Sequence, residues 1–228
     1  MLLVEDVTVR FGEKVALDGA TLEVGSTETV ALLGPSGSGK STLLRAIAGL
    51  EVLDRGRITI DGEDLAKTPT HLRRFGLMFQ GYALFPHLTV VQNIAFGLRM
   101  HGMDEGKATE ALALVGLEGM ASRSVDRLSG GEQQRVALAR TLAPEPRVVM
   151  LDEPVGALDR QLRRRLIEEM GEILTGRCVI YVTHDHDEAR SIADRIALLH
   201  DGRVVQTGRY EELVDTPAND WVAGFLAG

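Results

Sequence analysis

Residues 30–49 read Val30-Ala31-Leu32-Leu33, then Gly34-Pro35-Ser36-Gly37-Ser38-Gly39-Lys40-Ser41, then Thr42-Leu43-Leu44-Arg45-Ala46-Ile47-Ala48-Gly49. The first four are an apolar run of strand type, and the last eight are a helical stretch stopped by a glycine. The loop between them fits G-x-x-x-x-G-K-[ST]. With glycine at about 7% of residues on average, a chance match in a chain of this length is on the order of one in a hundred. Strand, loop and helix together are the context in which the motif carries a mechanism. Its glycines let several N–H groups converge on phosphate oxygens, Lys40 reaches the β- and γ-phosphates, and the Ser41 hydroxyl ligates Mg²⁺. A helix N-terminus alone favours one negative charge by about 0.3–1 kcal/mol, up to ~2, too little to desolvate a triphosphate. The lysine and the metal must neutralise the rest.

Outward from this loop, the fold class predicted is α/β. Val30–Leu33, Val148–Leu151 and Val179–Val182 are short apolar runs, each followed by a loop and a helical stretch, as the buried strands of a parallel sheet read. Before them, Leu3, Val7 and Val9, then Ala20, Leu22 and Val24, alternate with polar residues and predict an antiparallel β subdomain with these side chains on one face. Asp61-Gly62 and Asp201-Gly202 sit between strand-like segments and predict two hairpins. Residues 88–143 have helical texture and no convincing strand, so an inserted helical lobe is expected within one domain spanning 1–228.

The 228 residues correspond to about 1.5 domain units, one large domain or one with an insertion. With 25 Lys+Arg against 33 Asp+Glu the formal charge is −8 and no basic block reverses it, so nucleic acid is a poor partner. Cys178 is the one cysteine; it opens an apolar run and reads as a buried, inert thiol. There is no basic n-region followed by an apolar stretch at the N-terminus, and no run of ~18 apolar residues.

Two further motifs lie downstream. Val148-Val149-Met150-Leu151 ends in Asp152 and Glu153, and buried strands do not carry adjacent acids without a purpose. In a phosphate-loop enzyme, Asp152 would hold Mg²⁺ through its water shell and Glu153 would orient or deprotonate the attacking water. Leu128-Ser129-Gly130-Gly131-Glu132-Gln133-Gln134-Arg135 opens an apolar-periodic helix, where a Ser-Gly-Gly start is also a common helix cap.

The order of the loop at Gly34, the signature at Leu128 and the acids at Asp152 resembles the nucleotide-binding subunit of ABC transporters, over essentially the whole chain. The resemblance implies a P-loop NTPase core that binds ATP and Mg²⁺, with Gly34–Ser41 and Thr42 on the phosphates. It implies that Ser129, Gly130 and Gly131 face the γ-phosphate bound on a second copy, so that two composite sites form in a dimer. Gln80, after Leu77-Met78-Phe79, resembles the glutamine that senses Mg²⁺ and the attacking water. His184, after Val179–Thr183, resembles the switch histidine on the γ-phosphate. Glu153, His184, Gln80 and Lys40 are then the catalytic set, and Ser41, Gln80 and Asp152 the metal set. Phe11 matches the aromatic that stacks on adenine, although an apolar residue ending a strand also fits a core position. Gly156-Ala157-Leu158-Asp159 matches the segment that crosses the dimer interface, with Gly156 where the family usually has Ser. His184 and His186, at i and i+2 without a third ligand, make a poor zinc site. Arg163-Arg164-Arg165 read as the solvated side of a helix whose apolar face is Leu162, Leu166, Met170 and Ile173.

The 88 positions from Lys40 to Leu128 leave no room for the long coiled-coil arm of chromosome and repair relatives. The segment from Gln80 to Gly97 resembles importers serving polyamines, ferric iron, thiamine, sulfate or sugars. Tyr82, Leu84 and Phe85 offer either a socket for a helix of the membrane subunit or packing of the lobe on the core. The chain stops at Gly228, so the C-terminal regulatory domain of longer relatives is expected to be absent. The resemblance implies an ATPase at the cytoplasmic face of the membrane, partnered by a second ATP-binding subunit and integral permease subunits, and indirectly by a solute-binding protein. An exporter or lipoprotein-releasing ATPase, and a soluble ATP-driven switch, are the alternatives.

Overall fold

The computed structural model describes residues 1–156 and 160–227, and of residues 160–162 the backbone only. These residues form two compact units, Met1–Arg73 with Leu174–Gly228, and Arg74–Ile173. The first unit begins with β1 (Leu2–Phe11), β2 (Lys14–Val24), β3 (Thr29–Leu33), α1 (Lys40–Ala48), β4 (Arg55–Ile60) and β5 (Glu63–Asp64). The second holds β6 (Phe75–Met78), α2 (Val90–Met100), α3 (Lys107–Leu114), α4 (Gly130–Leu142), β7 (Val148–Asp152) and nearly all of α5 (Arg160–Leu174). The chain then returns to the first through β8 (Val179–Thr183), α6 (His186–Ile192), β9 (Arg195–His200), β10 (Arg203–Gly208), α7 (Tyr210–Asp215) and α8 (Asp220–Ala227).

In the first unit, β2, β1, β4 and β5 form the expected antiparallel sheet. Its buried face differs from the simple alternation. Leu2 and Val4 point inward before Asp6, Val7 and Val9 after it, and Leu3 is only half-buried. The cause is a bulge: pairing shifts between Val4 and Val7, Asp6 adopts φ 52°, and the inward phase slips by one residue. Gly56 of β4 accommodates it, since a Cβ there would lie 2.4 Å from the Asp6 carbonyl oxygen.

The central strand β3 pairs in parallel with β8, Val30 opposite Ile180, and with β9, Ala31 opposite Ile196. Every residue of β3 and β8 is buried, which is why both read as unbroken apolar runs. Both Asp-Gly hairpins form. Asp61 and Gly62 (φ 51° and 82°) join β4 to β5, and Asp201 and Gly202 (φ 45° and 75°) join β9 to β10, the left-handed pair that a two-residue turn requires. Cys178 is buried beside β8, and burial pushes its thiol from 9 up to about 11, so it is protonated and inert at neutral pH.

In the second unit β6 and β7 pair in parallel, Phe75 opposite Val148. Between them α2, α3 and α4 fill the stretch expected to be helical, with no strand there among the described residues. On α5, Leu166 and Met170 are buried and Ile173 half-buried, while Arg164 and Arg165 are exposed and Arg165 pairs with Glu169 at 2.9 Å. The Leu162 side chain lies outside the described residues.

Candidate functional site

The phosphate-type loop lies in the first unit, between β3 and α1, as the sequence predicts. Its glycines have distinct physical reasons. A Cβ at Gly34 would lie 2.2 Å from the Leu199 carbonyl oxygen, and one at Gly39 2.6 Å from the Ala16 carbonyl oxygen, with Gly39 also at φ 108°. Gly37, at φ 82°, faces open space. The Asp201-Gly202 turn braces the loop from the other side: the Gly202 N–H donates to the Ser38 carbonyl at 2.9 Å, and the Gly202 carbonyl accepts from the Asp18 N–H at 2.9 Å. The helix begins at Lys40, directly after Gly39, which supplies no side-chain cap, and there is no acid in the first turn of α1. No N-cap side chain therefore serves the start of this helix. Lys40 is 6% exposed, and its ammonium donates to the Gly34 carbonyl at 2.7 Å and the Pro35 carbonyl at 2.9 Å. Ser41 is exposed and Thr42 half-buried in the first turn.

The far end of α1 is closed by Gly49 at φ 77° and by Arg73, whose buried guanidinium donates to the carbonyls of Ile47 (2.7 Å), Leu65 (3.0 Å) and Thr68 (3.1 Å). A cation at the C-terminus complements the helix dipole whose positive end meets the loop. Phe11 ends β1 with 49% of its surface exposed, so it is not the core residue its sequence context also allowed, and its ring is available to a planar ligand.

His184 is exposed directly after β8. Its loop is held by a network that sequence reading missed. The Thr183 hydroxyl accepts from the Asp185 N–H at 3.0 Å and donates to the buried Glu188 carboxylate at 2.7 Å, while the Asp185 carboxylate caps α6 by accepting from the Asp187 and Glu188 N–H groups. Glu188 resembles one more helix-start acid in sequence, and burial separates it from Asp187. His186 packs against Phe225, ring centres 4.9 Å apart, so it has an aromatic partner.

In the second unit, the structure brings Gln80 and Glu153 together, the Gln80 amide donating to the Glu153 carboxylate at 3.0 Å. Asp152 ends β7 half-buried, and Glu153 follows it in the left-handed region at φ 46°. A non-glycine residue held there costs on the order of 1–3 kcal/mol, a strain typical of functional sites. Ser129, Gly130 and Gly131 open α4, and Ser129 and Gly130 are exposed. Ser129 forms a capping box with Glu132: its N–H donates to the Glu132 carboxylate at 2.7 Å and its hydroxyl to the same oxygen at 2.8 Å, which holds the Glu132 carboxyl below its usual range. At Gly156 a Cβ would sit 3.6 Å from the Glu153 carbonyl and carboxylate oxygens, an ordinary contact, so the position has room for Ser. Ala157, Leu158 and Asp159 lie outside the described residues.

Of the two alternatives offered for Tyr82, Leu84 and Phe85, packing holds at Tyr82. Tyr82 is only 8% exposed, turned inward by positive φ angles of 59° at Tyr82 and 47° at Ala83, so it cannot line a surface socket; Leu84 and Phe85 are half-buried. Two anchors that the sequence did not reveal fix this loop. Asn93, fully buried on α2, accepts from the Phe85 N–H at 2.8 Å and donates to the Phe85 carbonyl at 3.1 Å, and Arg140 of α4 donates to the Tyr82 and Ala83 carbonyls.

These residues fit a nucleoside triphosphate and Mg²⁺. The Ser38 hydroxyl is buried in the loop without a hydrogen-bond partner, the first turn of α1 carries neither cap nor acid, and the loop lysine is buried. Ser41 in the first unit, and Gln80 and Asp152 in the second, each carry oxygen donors, the class that Mg²⁺ prefers.

Comparison with known proteins bears on the assignment. A family model for the ABC transporter matches residues 17–156. The chain is 54% identical over 232 residues to the Fe(3+) ions import ATP-binding protein FbpC of Streptomyces coelicolor, covering 99% of this chain and 67% of that protein. It is 46% identical over 231 residues to the probable sulfate/thiosulfate import ATP-binding protein CysA of Chlorella vulgaris, covering 99% of this chain and 98% of that one. It is similar in structure to the dimeric bacterial ABC transporter cassette MJ0796, with a TM-score of 0.81 and 34% identity over 92% of this chain and 98% of that chain. A motif order, a loop geometry and relatives that align over nearly the whole chain lead to one conclusion: the chain belongs to the ABC transporter family.

Proposed function

We propose that this chain is the ATP-hydrolysing subunit of an ABC importer, acting at the cytoplasmic face of the membrane through integral permease subunits. The observation that carries the reading is the buried Lys40 ammonium, held over an uncapped helix N-terminus by the Gly34 and Pro35 carbonyls. A buried cation beside a helix N-terminus that carries neither a side-chain cap nor an acid suits a polyanion. Lys40 would neutralise the β- and γ-phosphates, the loop N–H groups would orient them, and Phe11 would stack on the base. Ser41, Asp152 and Gln80 would hold Mg²⁺. The ion held there would supply positive charge against the negative charge that develops in the transition state. Glu153 would take a proton from the attacking water, with Gln80 fixing its carboxylate and His184 contacting the γ-phosphate.

The exposure of Ser129 and Gly130 suits a signature turn that completes the site of a second copy, and the MJ0796 cassette is dimeric. Import is supported by relatives named for ferric-ion and sulfate/thiosulfate import; in this reading a solute-binding protein would deliver the cargo outside. The test is co-purification from membranes together with ATP turnover. An importer subunit brings an integral membrane protein with it, and adding loaded solute-binding protein raises turnover. Recovery from the soluble fraction alone, with ATPase activity intact, would favour a soluble ATP-driven switch. Stimulation by an outward-moving substrate instead would favour an exporter or a lipoprotein-releasing ATPase.

A further inference from the structure

The segment after Gln80 takes a path that its residues disfavour. Tyr82 and Ala83 are consecutive left-handed residues without glycine, φ 59° and 47°. Each L side chain in this region crowds its own carbonyl, so the pair persists only where its surroundings impose it. Asn93 secures the loop further along, at Phe85. The strained pair itself is held by Arg140 from the last turn of α4. Its Nη2 donates to the Tyr82 carbonyl at 2.6 Å, its Nη1 donates to the Ala83 carbonyl at 2.7 Å, and its guanidinium lies over the Phe85 ring, 5.4 Å from the centre. One planar fork thus takes both carbonyls at once, a geometry that a single ammonium on a flexible stem cannot reproduce. The helix that supplies this arginine is the one that begins with the Ser129-Gly130-Gly131 turn, ten residues and roughly 15 Å away along its axis.

We propose that Arg140 is a positioning residue: by imposing the left-handed Tyr82–Ala83 pair it sets Gln80 against Glu153, and it ties that setting to the helix that begins at the signature turn. The proposal rests on the reading that Gln80 and Glu153 act in ATP hydrolysis. It predicts a loss in turnover and not in nucleotide affinity, because the groups that Arg140 holds, the Tyr82 and Ala83 carbonyls and the Phe85 ring, are not among those read as binding the nucleotide.

The experiment measures kcat and KM for Mg-ATP in the full-length chain for four variants: Arg140→Lys, Ala83→Gly, the two combined, and Gln80→Ala. Melting temperatures are recorded for each. Arg140→Lys is expected to lower kcat about tenfold with KM within about twofold, the size of effect that a small misplacement of a reacting group produces. Adding Ala83→Gly lets the loop adopt its path without being forced, and it is expected to recover at least about fivefold of that loss. A purely structural role gives the opposite result, since glycine loosens the chain further. Full kcat in Arg140→Lys, or no recovery in the double variant, overturns the proposal. If Gln80→Ala is slow while Arg140→Lys is not, only the proposal falls; if Gln80→Ala keeps full turnover, the Gln80 reading falls and takes the proposal with it. Should Arg140→Lys fail to fold, Phe85→Leu removes the ring under the guanidinium and carries the same test, with a smaller loss again relieved by Ala83→Gly.

Discussion

Three glycines of one loop provide a graded test of why the loop has its shape. At Gly37 an alanine methyl meets no atom within 4 Å and pays only for its backbone angle of φ 82°, about 1–2 kcal/mol. At Gly34 the backbone angle is ordinary, but the methyl would lie 2.2 Å from the Leu199 carbonyl oxygen and 3.1 Å from the Ser38 hydroxyl. Neither β9 nor the loop can yield freely, so the cost is that of overpacking, about 1–3 kcal/mol. Gly39 combines both, φ 108° and a methyl 2.6 Å from the Ala16 carbonyl oxygen, giving about 2–5 kcal/mol. A chain of this size loses about 2–4 °C of melting temperature per kcal/mol, so nucleotide-free melting should fall by about 2–8 °C for Gly37→Ala and about 4–20 °C for Gly39→Ala. Because Gly34 also supplies a carbonyl to the Lys40 ammonium, Gly34→Ala and Gly39→Ala should weaken ATP binding about tenfold or more, the worth of one hydrogen bond to a charged group. Equal melting for Gly37→Ala and Gly39→Ala, or a wild-type value for Gly34→Ala, would refute the account of the loop as braced by β2 and β9.

Three other outcomes follow from single contacts. Thr183→Val removes the hydroxyl that donates to buried Glu188 at 2.7 Å and should cost about 1–3 kcal/mol by thermal denaturation; combining it with Glu188→Gln should cost less than the sum of the two. Cys178 has a folded pKa raised from 9 to about 11, so the folded protein binds the proton more tightly. Its contribution is fully present below pH 9 and is lost as pH rises towards 11, and Cys178→Ala should remove that part of the alkaline loss in a pH series of melts. Gly156→Ser fits without strain, its Cβ 3.6 Å from the nearest oxygens. It should leave melting unchanged or raise it by about 1–4 °C, through the smaller entropy of the unfolded chain.

The parts of the molecule that were legible in sequence are those fixed by local rules. The loop at Gly34, the end of α1 at Gly49 and the two Asp-Gly hairpins each depend on neighbouring residues and a backbone angle that one residue type supplies. The buried strands were legible because a strand covered on both faces has to be apolar throughout. The face of β1 was misjudged at Leu3 because a single left-handed residue, Asp6, inverts the alternation, and nothing in its residue type announces that. Tyr82 stayed open in sequence between a surface socket and packing for the same reason, since two unusual backbone angles and not its residue type turn it inward. Arg73 and Arg140 were invisible because their partners are distant in sequence, 26 positions for the Ile47 carbonyl and 58 for that of Tyr82. A surface-type arginine in sequence becomes an anchor only when the fold delivers carbonyls to it. The pairing of Gln80 with Glu153 spans 73 positions; family resemblance put both in one catalytic set, and the contact itself came only from the structure.

The central claim is that this chain completes an ATP site only with a second copy, and that Glu153 is the base which then hydrolyses the nucleotide. Removing the base should lower turnover by roughly 10²–10⁴-fold while leaving binding intact, which traps the ATP-bound form. Light scattering of the purified Glu153→Gln variant with and without Mg-ATP is therefore the most direct measurement. The account predicts a monomer without nucleotide and a doubling of mass with it; an unchanged mass at saturating Mg-ATP would contradict it.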